Sequence, residues 1–185
     1  SRAFGECKKL KEKVIIDGEM NEAEWRDAGV IEINKKEQIK VGNIENWKDL
    51  SECSGRFFLK YDEEDIYIGL RIKDDVRGER GGEKVVWEGD GIELYIDLEP
   101  DKNLSVQEHT ANVYRFLCGL PTDKFPILTW SLINNPSGNT PKDNRKVEDI
   151  EGFVSSTNIV EDGYEVEIKI PWNSLGGFKA EIGKV

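Results

Sequence analysis

Three stretches of this chain alternate strictly between apolar and polar residues, at 66–72, 92–98 and 164–170. Ile66, Ile68, Leu70 and Ile72 fall on one face of the first, and Ile92, Leu94, Ile96 and Leu98 on one face of the second. Tyr164, Val166, Ile168 and Ile170 do the same in the third. A period of two, rich in β-branched residues, specifies strands with one buried face. The run Asp62-Glu63-Glu64-Asp65 turns the chain back from Phe57, Leu59 and Tyr61, and Glu161-Asp162-Gly163 turns it after 154–160. These signals predict an all-β chain, an antiparallel β-sandwich of immunoglobulin-like or jelly-roll type. With 185 residues it has the length for a single domain over 14–185, behind a loose basic lead-in at 1–13.

Weaker signals fill in the rest. Short strands are expected at Val14–Ile16, 30–33, 38–41, 111–117 and 127–133. One or two short helices complete the set. Asn21 reads as an N-cap with Glu24 as its capping-box partner, which turns Trp25 and Ala28 inward. After Pro171 a helical turn packs Trp172 on the core. Trp130 also reads as core, whereas Trp47, in a polar loop, suits either a binding platform or a cap on the core edge.

Charge and rare residues exclude several function classes. The net charge of −11 is the wrong sign for nucleic acid or for an anionic membrane surface. No apolar run approaches the ~20 residues of a membrane-spanning helix. Cys7, Cys53 and Cys118 are too few and too scattered for a disulfide framework or a zinc site. His109 and Met20 are the single residues of their types, which removes most metal, haem and triad chemistry.

The stretch 86–98, V-W-E-G-D-G-I-E-L-Y-I-D-L, holds the most chemistry. Opposite its apolar face, the strand carries Glu93, Tyr95 and Asp97, with Trp87 in the glycine-rich turn at its entrance. Hydrogen-bonding carboxylates beside a flat apolar ring suit a polyhydroxylated ligand. The same residues also suit a solvated sheet face, where Arg71 could pair with Glu93 or Asp97 if the two strands are neighbours. Glu93 and Asp97 lie four apart on one strand, roughly 13 Å by strand rise, too far for a glycosidase pair. No enzyme is expected. The long loop 74–91 offers Asp74, Asp75, Glu79, Glu83, Glu88 and Asp90 as oxygen ligands for a structural calcium, in a spacing unlike an EF-hand.

W-E-G-D-G-I-E-L-Y-I-D resembles the W-x-x-D-x-V-E-I-x-I-D signature of family 9 carbohydrate-binding modules. Three further segments match in order: I-D-G-E-M-N-E-A-E-W at 16–25, F-L-K-Y-D-E-E-D-I-Y-I-G-L-R-I-K-D at 58–74 and G-Y-E-V-E-I-K-I-P-W at 163–172. The resemblance implies a non-catalytic module that binds polysaccharide of the cellulose or xylan type. It implies that Trp87 stacks on a sugar ring, and that Glu93 and Arg115, from the matching Tyr114-Arg115-Phe116 strand, hydrogen-bond its hydroxyls. It further implies an extracellular or cell-envelope location, an attached glycoside hydrolase or envelope protein, and room for calcium without a required cofactor. In the family a second tryptophan follows the I-G-x-x that stands here at 182–185. The chain stops there, so the domain is expected to be truncated, to be completed by another element, or to have lost binding. The other reading is a structural or protein-interaction sandwich of the cell envelope.

Overall fold

A computed structural model describes residues 3, 5–39, 45, 47–78, 89–98, 113–122, 128–134 and 146–176, without the side chains of 129 and 131–134. The described strands are β1 (Lys8–Lys9), β2 (Gly29–Ile33), β3 (Cys53–Tyr61), β4 (Asp65–Asp74), β5 (Gly91–Asp97), β6 (Val113–Gly119), β7 (Thr129–Asn134), β8 (Val154–Val160) and β9 (Gly163–Pro171). Among the described residues one α-helix, α1 (Glu22–Trp25), accompanies them with a few 3-10 turns. The fold is of the expected all-β, antiparallel sandwich class. No helix among the described residues is long and apolar enough to cross a membrane.

The chain groups into two compact units, 1–77 with 152–172, and 78–151 with 173–185. The first holds a six-stranded sheet in the order β1-β3-β4-β9-β8, with β2 also on β3. All its pairings are antiparallel except the two-residue β1–β3 contact. The alternation in sequence gives its most buried face: Leu70, Tyr164, Val166, Ile168 and Ile170 are fully covered and Ile68 nearly so.

The other face of this sheet is buried too, by α1 and the turn before it. Val14, Met20, Trp25, Ala28, Phe58 and Tyr67 form a core cluster there. Trp25 and Met20 sit directly on Gly69, where a Cβ would lie 2.5 Å from Met20 Cε and 3.0 Å from Trp25 Cε2. Glycine is therefore required at the centre of β4, despite its weak strand propensity. Two charged side chains lie within this face. Glu167 accepts from Trp25 Nε1 (2.8 Å) and from the backbone N–H of Asp17 and Gly18 (2.9 Å each), while Glu165 accepts from Met20 N (3.0 Å). Gly18 has φ +93°, which few other residues adopt. Two of the segments singled out in sequence, 16–25 and 163–172, are thus fastened to each other. Burial pushes the Glu167 carboxyl up from its ordinary value, and its three N–H donors oppose that shift. Lys60, also fully covered, donates to Asp27 (2.6 Å) and to the Glu24 carbonyl (2.7 Å). That bond holds Asp27 below the usual carboxylate range.

Several local expectations are corrected. Residues 14–16 form no strand, because Val14 packs into the cluster under α1 instead of pairing with a neighbour. At the expected strand 38–41 a 3-10 turn covers Lys36–Gln38. Asn21 caps α1 through Ala23 N, but the capping box does not close: the Asn21 N–H bonds the Glu19 carbonyl, and Glu24 reaches Ile15 N. Arg71 pairs with Glu165, at 3.2 Å, and not with Glu93 or Asp97, because β4 lies between β3 and β9. Trp172 packs as expected, 7% exposed, with Nε1 on the Asp62 carbonyl. Cys7, Cys53 and Cys118 are all free thiols, and burial pushes that of Cys7 up to about 11.

Candidate functional site

The second unit carries the three-stranded antiparallel sheet β5-β6-β7. Alternation in β5 holds as read: Ile92 is buried, and Glu93 and Tyr95 are exposed. The register sets Arg115 opposite Tyr95, Leu117 opposite Glu93 and Val113 opposite Asp97, all on one face.

On that face Glu93, Tyr95 and Arg115 form one hydrogen-bonded group. Arg115 Nη2 donates to Glu93 Oε1 at 2.8 Å, and the Tyr95 hydroxyl donates to Oε2 at 3.0 Å. The guanidinium carbon of Arg115 lies 5.8 Å from the centroid of the Tyr95 ring, within cation–π range. Desolvation, then the bond to Glu93, pushes the Tyr95 phenol up, so it remains a donor through neutral pH. Arg115 Nε is buried with no hydrogen-bond partner. The Glu93 side chain stays 41% exposed and that of Arg115 22%.

This face differs from an ordinary solvated sheet surface. Val113 and Leu117, which share it, are only 2% and 4% exposed. An oriented carboxylate, a guanidinium and a half-exposed ring thus stand between covered apolar residues. Such a group presents fixed acceptors, charge-assisted donors and an aromatic surface together, the set that neutral hydroxyl-rich ligands require.

Two of the three site residues expected from sequence, Glu93 and Arg115, are therefore brought together. The third, Trp87, lies outside the described residues, as do His109 and the acids Glu79, Glu83 and Glu88. Tyr95 is the addition. Its parity with Glu93 in the 92–98 alternation was the available signal, but only the fold puts its hydroxyl on Glu93. Trp130 pairs with Cys118, on the face opposite Glu93. Trp47 bonds the Cys53 carbonyl at 2.9 Å and closes the turn into β3.

Of the acids offered as calcium ligands, Asp74, Asp75 and Asp90 are described. Asp74 Oδ1 accepts from Val76 N within its own turn, whereas Asp90 Oδ2 accepts from Gly78 N, twelve residues earlier, at 2.6 Å. Among the described residues, no three metal-ligating side chains cluster.

The sequence profile described as "carbohydrate family 9 binding domain-like" matches residues 16–184. The chain belongs to this family. Among solved structures, this family 9 domain is similar to a family 9 carbohydrate-binding module from Caldicellulosiruptor kristjanssonii in complex with cellotriose. The identity is 14% and the TM-score 0.56, covering 89% of this chain and 66% of that one. The same description in complex with glucose gives 15% identity and a TM-score of 0.55, with 89% and 67% coverage. A Bacteroides uniformis protein proposed to bind carbohydrate gives 15% and 0.57, with 95% and 75% coverage. At these identities the likeness is one of fold, and this chain spans slightly under two thirds of the first structure's length. No curated protein sequence matches the family 9 domain.

Proposed function

We propose that this family 9 domain is a non-catalytic carbohydrate-binding module. In this reading Glu93 and Arg115 hydrogen-bond sugar hydroxyls and Trp87 stacks on the ring. One observation carries it: Glu93 is oriented by two donors, yet keeps 41% of its side chain exposed, on a face whose apolar members are covered. Each Glu93 oxygen accepts one bond from the group and retains capacity for a ligand hydroxyl. Membership in a carbohydrate-binding family and the likeness to structures holding cellotriose and glucose support a glucan-type ligand, and the xylan alternative rests on the motif resemblance. The role of Trp87 rests on its place in the 87–97 motif.

Such a module works by tethering. Holding an attached hydrolase or envelope protein on polysaccharide raises its local concentration without new chemistry, and polysaccharide of this kind places the module outside the cell or in its envelope. The test is titration calorimetry with short gluco- and xylo-oligosaccharides on the whole chain and on Trp87→Ala. Loss of an aromatic anchor is expected to weaken binding by about 2 kcal/mol or more, with little change in melting. Equal affinity in the variant, or no binding by the parent, overturns the assignment.

A further inference from the structure

The face of the first unit's sheet that α1 covers also contains a cleft of about 250 Å³. Arg26, Arg56 and Arg71 line it, with one lining carboxylate, Glu22, and a floor of Trp25 and Phe58. Arg56 and Arg71 stand directly opposite each other on β3 and β4. Like charges in that position repel and weaken a sheet. The row across β2, β3, β4 and β9 reads Glu32, Arg56, Arg71, Glu165. Its two carboxylates hold the outer sides, through Arg56 Nε at 3.1 Å and Arg71 Nε at 3.2 Å. Among the described residues, Glu32 and Glu165 are the carboxylates paired with these two guanidiniums, and both approach from the outer sides.

The three arginines differ in how far they are committed. Arg71 is fixed, since it also donates to the Met20 carbonyl. Arg56 uses only Nε, and its guanidinium carbon lies 5.2 Å from the Phe58 ring centroid. Arg26, at the C-cap of α1, has no partner among the described residues. In a chain of net charge −11, three arginines against one lining carboxylate make the wall of this concavity cationic, although Glu32 and Glu165 pair with two of them from outside, and cationic concavities attract anions.

We propose that this cleft is a second ligand site, which takes a single sugar ring bearing a carboxylate, a uronate. The planar guanidinium fork matches a carboxylate in shape and charge. The apolar floor meets the C–H face of a ring, and the volume, below the roughly 300–1,000 Å³ of drug-sized pockets, suits one ring. The sugar ring rests on the carbohydrate reading above, and the carboxylate on the arginines. No residue is shared with the Glu93 group.

The experiment is titration calorimetry at low salt on the whole chain, with glucuronic acid, tri-galacturonic acid, methyl glucuronate ester, inorganic phosphate and cellotriose as probes. Arg26→Gln and Arg56→Gln are the variants, since neither side chain is buried and both proteins should fold, which thermal melts check. Trp87→Ala serves as the control for the other site. The expected result is uronate binding by the parent, weakened about tenfold or more by each arginine variant, as for the loss of one charge-assisted hydrogen bond. Added salt should weaken it as well, while cellotriose binding is unchanged. The inference fails if the acids do not bind, if the arginine variants bind them as the parent does, or if the ester or phosphate binds as tightly. If Trp87→Ala alone abolishes uronate binding, uronate belongs to the Glu93 group, and this inference falls while the module reading stands. If the arginines hold uronate and no neutral sugar binds, the reverse applies.

Discussion

Glu167 and Glu93 are both glutamates at alternating positions of strands, each beside an aromatic side chain, yet their surroundings are opposite. Glu167 is fully covered and accepts three N–H bonds, two of them from the backbone of the 17–18 turn. Glu93 accepts two side-chain bonds and remains 41% exposed. A carboxylate saturated by donors of its own chain is a fastener: its acceptors are used up in fixing a turn and a helix to a sheet. One that is aimed by two donors but left open to solvent has spare acceptors, already oriented, for something else. Residue type is the same in both; the remaining bonding capacity separates structure from recognition.

The largest effect expected from testing this contrast is on the fastened side. Trp25→Ala removes a ring that is 3% exposed and packed on Phe58 and Gly69, and should cost about 3–5 kcal/mol of stability in chemical denaturation. Glu167→Gln comes next. It turns an amide NH2 toward N–H donors and should cost about 1–3 kcal/mol. It also changes the pH profile. Because the folded Glu167 carboxyl is raised above its ordinary 4.5, its contribution is full below that value and is lost as pH rises through the folded value. That decline should be missing from the Glu167→Gln denaturation series.

On the open side the effects should move from stability to affinity. Glu93→Gln should weaken oligosaccharide binding by about 1.5–3 kcal/mol, as for hydrogen bonds to a charged group, and shift stability by no more than ~0.5 kcal/mol. A melting loss as large as that of Glu167→Gln would make Glu93 a second fastener and remove the contrast. Tyr95→Phe, the smallest change, deletes only the hydroxyl that orients Glu93 Oε2 and should cost about 0.5–1.5 kcal/mol of affinity in the same titrations.

The chain's own pattern carried much of this. The alternations at 66–72, 92–98 and 164–170 located β4, β5 and β9 and their buried faces, since period two is a local property of an extended backbone. Parity within β5 and β6 likewise put Glu93 and Arg115 on the outer side of their strands, and the asparagine at 21 announced its helix cap.

Parity says nothing about which strand lies next door. Arg71 therefore read as a partner for Glu93, and only the pairing of β4 with β9 gave it to Glu165. Val14–Ile16 had the composition of a strand, but a strand needs an edge to pair with, and the packing beneath α1 took Val14 instead. Glu167 alternates like a solvent-facing residue, and its burial became visible only once α1 lay over that face. What the sequence determined by itself was which residues share a face, because that follows from backbone geometry over a few residues. What only the tertiary structure decided was which faces are covered and which charges meet, because those contacts join residues such as Trp25 and Glu167 that lie far apart along the chain.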